Sequence, residues 1–467
     1  MKKLFILSTI LLSFTLNAQF LGDKPPSETE VKIDTTQQIP ALIKLAAQAK
    51  KDKKYQDLVK IMEKILKLDA NNPLFRFQTA QAYALADEKS KAFNALIALQ
   101  KQGLYFDIEN NKSFENIKQY PVFNYIKENF DASKKHFGKS EFVFSIDKSF
   151  SGMLFESLAF DQKNMAFFMG SLRDGSVIRI NEKGKIDVFI KATQSGEDGP
   201  WAAIDLAVDT NNNVLWVASS AVSQYAKVSD KIAGKSGLFK YDLSTGKLLK
   251  SYLMPKNARP TLITAMHLTQ SGDIYFIDSV KSLVLKLAKD ADEITVVFNA
   301  KGFKNLRNIT GDETGDFLYL SDTNVGIISL NLKNQKVFVM DSKPDLLLIG
   351  ITDLIYDDKG LIILQSGFQP ERIMRLQLAD DKVSIQHVFP IETANADFDS
   401  LSYGAIVGDG LFYIANSQSA HANIFGGLLK NKQWQDMKIY STAKHYNEKE
   451  ALDYQQKIDE LKKKAGK

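Results

Sequence analysis

Two periods of apolar patterning divide the chain. Between about residue 40 and residue 130, Leu42, Leu45, Ala46, Ala49, Leu58, Ile61, Ile65 and Leu68 recur at helical spacing, and the run stops at Asn71-Asn72-Pro73. Such spacing gathers apolar side chains on one helical face, and the proline ends the preceding helix. A second unit carries Ala80, Tyr83 and Ala92, then Leu96 and Leu99, with Gly103 as its C-terminal cap. From residue 141 the period becomes two, and six segments repeat one plan of strand, polar turn and strand: 158–171, 206–220, 266–279, 309–323, 354–367 and 405–418. A third strand is predicted after each, as SVIRIN, GLFKYDL, LVLKLA, VGIISLNL, RIMRLQL and IFGGLLK. The turns, at 161, 209, 269, 312, 357 and 408, lie 43 to 60 residues apart.

Even repetition of small antiparallel sheets at this interval is the pattern of propeller blades. The fold class expected is therefore mixed: an all-β six-bladed β-propeller over 141–442, preceded by a small all-α domain over 40–130. FVFSID (142–147) stands ahead of the first blade and is expected to complete the last one beside WQDMKIYS (434–441). That pairing would close the ring and remove a sheet edge. Over 443–467 a C-terminal helix is predicted, with Ala451, Tyr454, Ile458 and Leu461 three and four apart.

The N-terminus departs from both patterns. Lys2 and Lys3, the apolar run LFILSTILLSFTL and small Ala18 make residues 1–18 a signal peptide, too short to span a membrane. Residues 19–39, with Pro25-Pro26, read as a flexible linker. The expected location is secreted or periplasmic, with no membrane span in the mature chain. The 467 residues include no cysteine, which excludes disulfides, thiolate metal sites and cysteine nucleophiles. A net charge of +5, with lysines scattered in short runs, gives no basic stripe for nucleic acid.

The helical units resemble a tetratricopeptide repeat pair. Ala80 and Ala92 stand where two helices approach, Tyr83 fills between them, and Phe114 and Phe123 around Pro121 suit a capping unit. Because free-standing arrays need about three repeats, this block is expected to lean on its neighbour, and the repeats are expected to mediate protein contacts.

The stretch FESLAFDQKN…FFMGSLRDGSVIRI resembles the first blade of the gluconolactonase/regucalcin-like propellers, over roughly 142–440. Members that hydrolyse lactones hold one divalent cation, calcium or zinc, through a glutamate, two asparagines and an aspartate, and the metal activates water. Carried over residue by residue, the glutamate falls on Glu156. Thr264 and Arg307 stand at the two asparagine positions, and Asp353 lies one residue from the aspartate position. The resemblance thus implies a metal set of Glu156 and Asp353 only, with a guanidinium where an oxygen ligand is required.

The charged residues Glu156, Asp205, Arg307 and Asp353 are expected to converge at one tunnel mouth. They would form either a structural ion network or a site for a small polar or anionic ligand. The expected function is an exported binding protein. A metal-dependent lactonase or esterase is the first alternative and an assembly scaffold the second. GKS (234–236) lacks the upstream glycine of a phosphate loop, DTNNN (209–213) lacks the calcium-loop glycine, and there is no G-x-S-x-G. The five histidines are dispersed, and His267 reads as ordinary packing.

Overall fold

The computed structural model describes residues 35–192, 196–255, 260–342 and 346–445. The signal-like segment 1–18, all but the end of the linker 19–39 and the apolar stripe after 445 lie outside them. The chain divides after Lys134 into two compact units.

The first unit holds helices α1 (Thr35–Lys51), α2 (Tyr55–Leu68), α3 (Pro73–Leu85), α4 (Lys89–Lys101) and α5 (Pro121–Ser133). Asn72 caps α3 by accepting from Leu74 N and Phe75 N at 3.1 and 3.2 Å, and Pro73 occupies the first turn, where its missing N–H costs nothing. Ala80 and Ala92 are fully buried, so α3 and α4 pack closely. Phe77 stacks on Phe106 at 4.3 Å and meets Phe114 edge-on. The Tyr83 hydroxyl donates to Glu63 at 2.8 Å.

The second unit is a six-bladed propeller of four-stranded sheets. The innermost strands of blades one to six are Ala159–Asp161, Ala202–Asp209, Ile263–Leu268, Leu306–Gly311, Ile351–Asp357 and Ser402–Val407. Glu141–Ile146 is the outermost strand of blade six, paired antiparallel with Met437–Ala443 from Glu141↔Ser441 to Ile146↔Met437. The ring is therefore closed by the start of the domain joining its end, as the alternating pattern at 142–147 predicts. Apolar clusters fill the gaps between blades. Phe168 of blade one packs in one cluster with Trp201, Leu206, Val217 and Phe239 of blade two. This burial holds the chain without disulfides.

The polar turns are pinned from blade to blade. Asp161 accepts from Thr210 Oγ1 of the next blade at 3.3 Å, Asp312 from Lys382 Nζ at 2.6 Å, and Asp357 from Lys444 Nζ at 2.8 Å.

Blade six differs from the sequence expectation. IFGGLLK is not a strand; its residues lie in a long loop, 415–436, and Met437–Ala443 supplies the third strand. The cause is local. Asn423 Oδ1 accepts from Phe425 N at 2.8 Å and Gly427 N at 3.1 Å, and Gly426 turns the chain at φ 74°.

Candidate functional site

A β-bulge at the same place in five inner strands builds the site. In blades two to six, three residue steps on the inner strand oppose two on its neighbour; Leu306 faces Asp322 while Ile309 faces Leu320. The same holds for Ala203 to Leu206, Ile263 to Met266, Ile351 to Leu354 and Ser402 to Ala405. A bulge re-aims the side chains it carries. Ile204, Thr264, Arg307, Thr352 and Tyr403 occupy its first position; Asp205, Ala265, Asn308, Asp353 and Gly404 occupy its second. Asp353 is thus level with Asp205 and Asn308, one residue away from Thr264 and Arg307.

The second-position side chains reach toward the next blade. Asp205 accepts from Leu206 N and from Met266 N of blade three, both at 2.8 Å. Asp353 does the same with Leu354 N and Gly404 N of blade six, both at 2.8 Å. Asn308 Nδ2 donates to Ile351 O of blade five at 3.2 Å. These groups line a cavity of about 170 Å³ on the ring axis, to which all six blades contribute, from Leu158 to Tyr403.

Electrostatics shows how closely the charges meet. Burial pushes Asp205 up to about 7 against its two backbone hydrogen bonds, and the carboxylate of Asp353 adds to the rise. Blades two and five face each other, so this influence crosses the channel. Burial likewise raises Asp353 to about 6, opposed by Gly404 N and Leu354 N. His267, beside them in the cavity wall, is pushed down to about 4 by burial, with Asp312 pulling the other way, and its imidazole is neutral.

At the first bulge position, Tyr403 donates its hydroxyl to Glu156 at 2.5 Å. Burial and the negative charge of Glu156 hold Tyr403 well above the usual phenol range, while the positive charge of Arg307 acts in the opposite sense. Its backbone sits at φ 27°, a strained conformation for a residue with a Cβ. Arg307 stands two blades from Tyr403, so its charge is felt across the ring.

Of the four sequence-predicted residues, Asp205 and Asp353 line the cavity, while Glu156 and Arg307 stand outside its lining and bear on it through Tyr403, Glu156 by its hydrogen bond and Arg307 by its charge. The four do not form the ion network considered as one outcome. Glu156 pairs with Tyr403, the two aspartates are held by backbone N–H groups, and half-buried Arg307 makes no hydrogen bond or ion pair among the described residues. A divalent cation does not fit this donor set. Glu156 is engaged by a phenol, both oxygens of Asp353 already accept N–H groups, and Thr264 and Arg307 stand where the resemblance would place amide ligands. Among the described residues no three His, Asp or Glu side chains are grouped to hold a metal. Sequence reasoning does not find three of the cavity residues: Tyr403, Asn308 and His267, the last expected only to pack. Their only signal is position, since each lies within three residues of a bulge.

No protein-family model matches this chain, and no curated protein matches it. Solved structures similar to it include a putative oxidoreductase (glucose dehydrogenase) from Thermus thermophilus. That likeness has 12% identity and a TM-score of 0.44, covering 65% of this chain and 99% of that one. The major allergen Mala s 1 of Malassezia sympodialis is similar at 13% identity and TM-score 0.46, over 64% of this chain and 95% of that one. Virginiamycin B lyase from Staphylococcus aureus is similar at 11% identity and TM-score 0.42, over 66% and 99%.

Proposed function

We propose that the propeller is a receptor for a small polar or anionic ligand, which enters the channel and is anchored by Arg307. One observation carries this reading: a half-buried guanidinium whose charge reaches Tyr403 across the ring has no partner among the described residues. Such a group favours a carboxylate or phosphate, which offers two acceptors to its planar fork. Asp205 and Asp353 do not oppose an anion at mildly acidic pH, because they hold their protons to about 7 and about 6, and the carboxylate of Glu156 is engaged by the Tyr403 hydroxyl. Arg307 is outside the lining of the cavity of about 170 Å³, but Tyr403 lines it and feels the Arg307 charge, and the volume suits a compact ligand of few heavy atoms.

On this reading residues 1–18 direct export to the periplasm or beyond, and the helical unit offers a contact surface to a partner protein. The test is calorimetric titration with a monocarboxylate series from acetate to hexanoate, with and without a terminal hydroxyl, and with inorganic phosphate. Saturable binding by the wild type that is lost in Arg307→Gln supports the receptor. A channel that binds none of these, in a chain that co-purifies with another protein, favours the assembly scaffold instead.

A further inference from the structure

The blade-six loop 415–436 ends in an exposed apolar tip. Ile424 and Phe425 are 63% and 65% exposed, with Leu428 at 42% and Val228 of the blade-two loop at 37%. Adjacent large apolar side chains left in water at a turn are unusual in a well-packed domain. This tip is held in place. Arg173 of blade one donates through Nη1 to Phe425 O and to Gln224 O, both at 2.6 Å, and Ser223 Oγ donates to Ile424 O at 2.8 Å. The backbone carbonyls of the two apolar residues are thus tied to blades one and two, while their side chains project outward. Gly426 permits this, since a Cβ there would lie 2.6 Å from Arg173 Nη1.

The surroundings are basic. Lys231, Lys430 and Lys432 are exposed and form no ion pair among the described residues, and Lys227 is exposed beside Val228. Asp230 and Asp436 are the exposed acids of the same two loops. We propose that the Ile424–Phe425 tip seats the propeller on an anionic phospholipid surface. A protruding apolar pair inserts at the headgroup boundary, and lysines around it meet the lipid charge. A second copy of the chain fits less well, because the same lysines would face each other. A peptide partner fits less well too, because the feature protrudes and offers no groove.

The test is sedimentation with vesicles of phosphatidylcholine alone and of phosphatidylcholine with phosphatidylglycerol. It uses the chain from residue 19 onward, which keeps every described residue and removes the apolar N-terminal run. Binding is expected on the anionic vesicles, weakened by salt. The Ile424→Ser/Phe425→Ser double variant should lose roughly tenfold or more in partition, and Lys430→Glu/Lys432→Glu should lose the preference for anionic lipid. Both variants should keep the wild-type melting temperature, because the atoms that anchor the loop are backbone. Equal partition onto neutral and anionic vesicles, or wild-type binding by the Ser double variant, would overturn the proposal. So would failure of the wild type to sediment with either vesicle while it binds polyglutamate, which would point to an acidic protein.

Discussion

Glu156 and Tyr403 share a hydrogen bond between a charged acceptor and a buried phenol, the kind that contributes about 1.5–3 kcal/mol. A double-mutant cycle of Glu156→Gln and Tyr403→Phe, read by urea unfolding, should return a coupling energy in that range. Coupling near zero would mean that the pair is solvated in solution. Asp205 gives a second handle. Its folded pKa of about 7 lies above its unfolded value, so its contribution is fully present below about 4 and is lost as pH rises through 7. The loss amounts to roughly 4 kcal/mol. Stability of the wild type relative to Asp205→Asn should therefore fall between about pH 4 and about pH 7. His267 acts with the opposite sign: held neutral by burial, it takes stability away as pH falls from 6.5 toward about 4. His267→Gln should flatten that acid limb. An unchanged pH profile in either variant would contradict the burial assigned to that residue.

The elements were more legible than the site, for a physical reason. Alternation along a strand follows from one buried face, so the blades and even the closing strand 142–147 can be read from the chain. Ile146 is fully buried against Met437 in that closing pair. Ile146→Asp should cost more than about 3 kcal/mol and broaden unfolding, because it opens the ring as well as burying a charge. A sharp transition with a loss under about 1 kcal/mol would mean that the ring holds without this strand. A bulge leaves no such trace. It adds one residue without a fixed composition, so Asp353 falls level with Asn308, and Tyr403 enters the channel unannounced. The loop 424–430 misleads for a related reason: its apolar residues look like a strand, yet Asn423, Gly426 and Gly427 fold them into a turn that leaves them in water.

For the molecule as a whole, the neighbourhood of Glu156, Asp205, Arg307 and Asp353 was legible because Asp205, Arg307 and Asp353 lie in the first half of inner strands and Glu156 three residues ahead of one, and a propeller brings those regions together. Their partners were not legible, since pairing depends on which blades face each other. Tyr403 and the backbone satisfy the three acids, and Arg307 is left without a partner among the described residues. Arg307 makes few demands on stability, so Arg307→Gln should change unfolding by less than about 0.5 kcal/mol. Its effect belongs to binding. The decisive measurement is therefore the affinity of the best small carboxylate or phosphate for the wild type and for Arg307→Gln, by titration calorimetry near pH 6. Saturable one-to-one binding, weakened at least about tenfold in the variant with its melting temperature intact, is the expected result. Equal affinity in the two proteins would contradict a receptor built on Arg307.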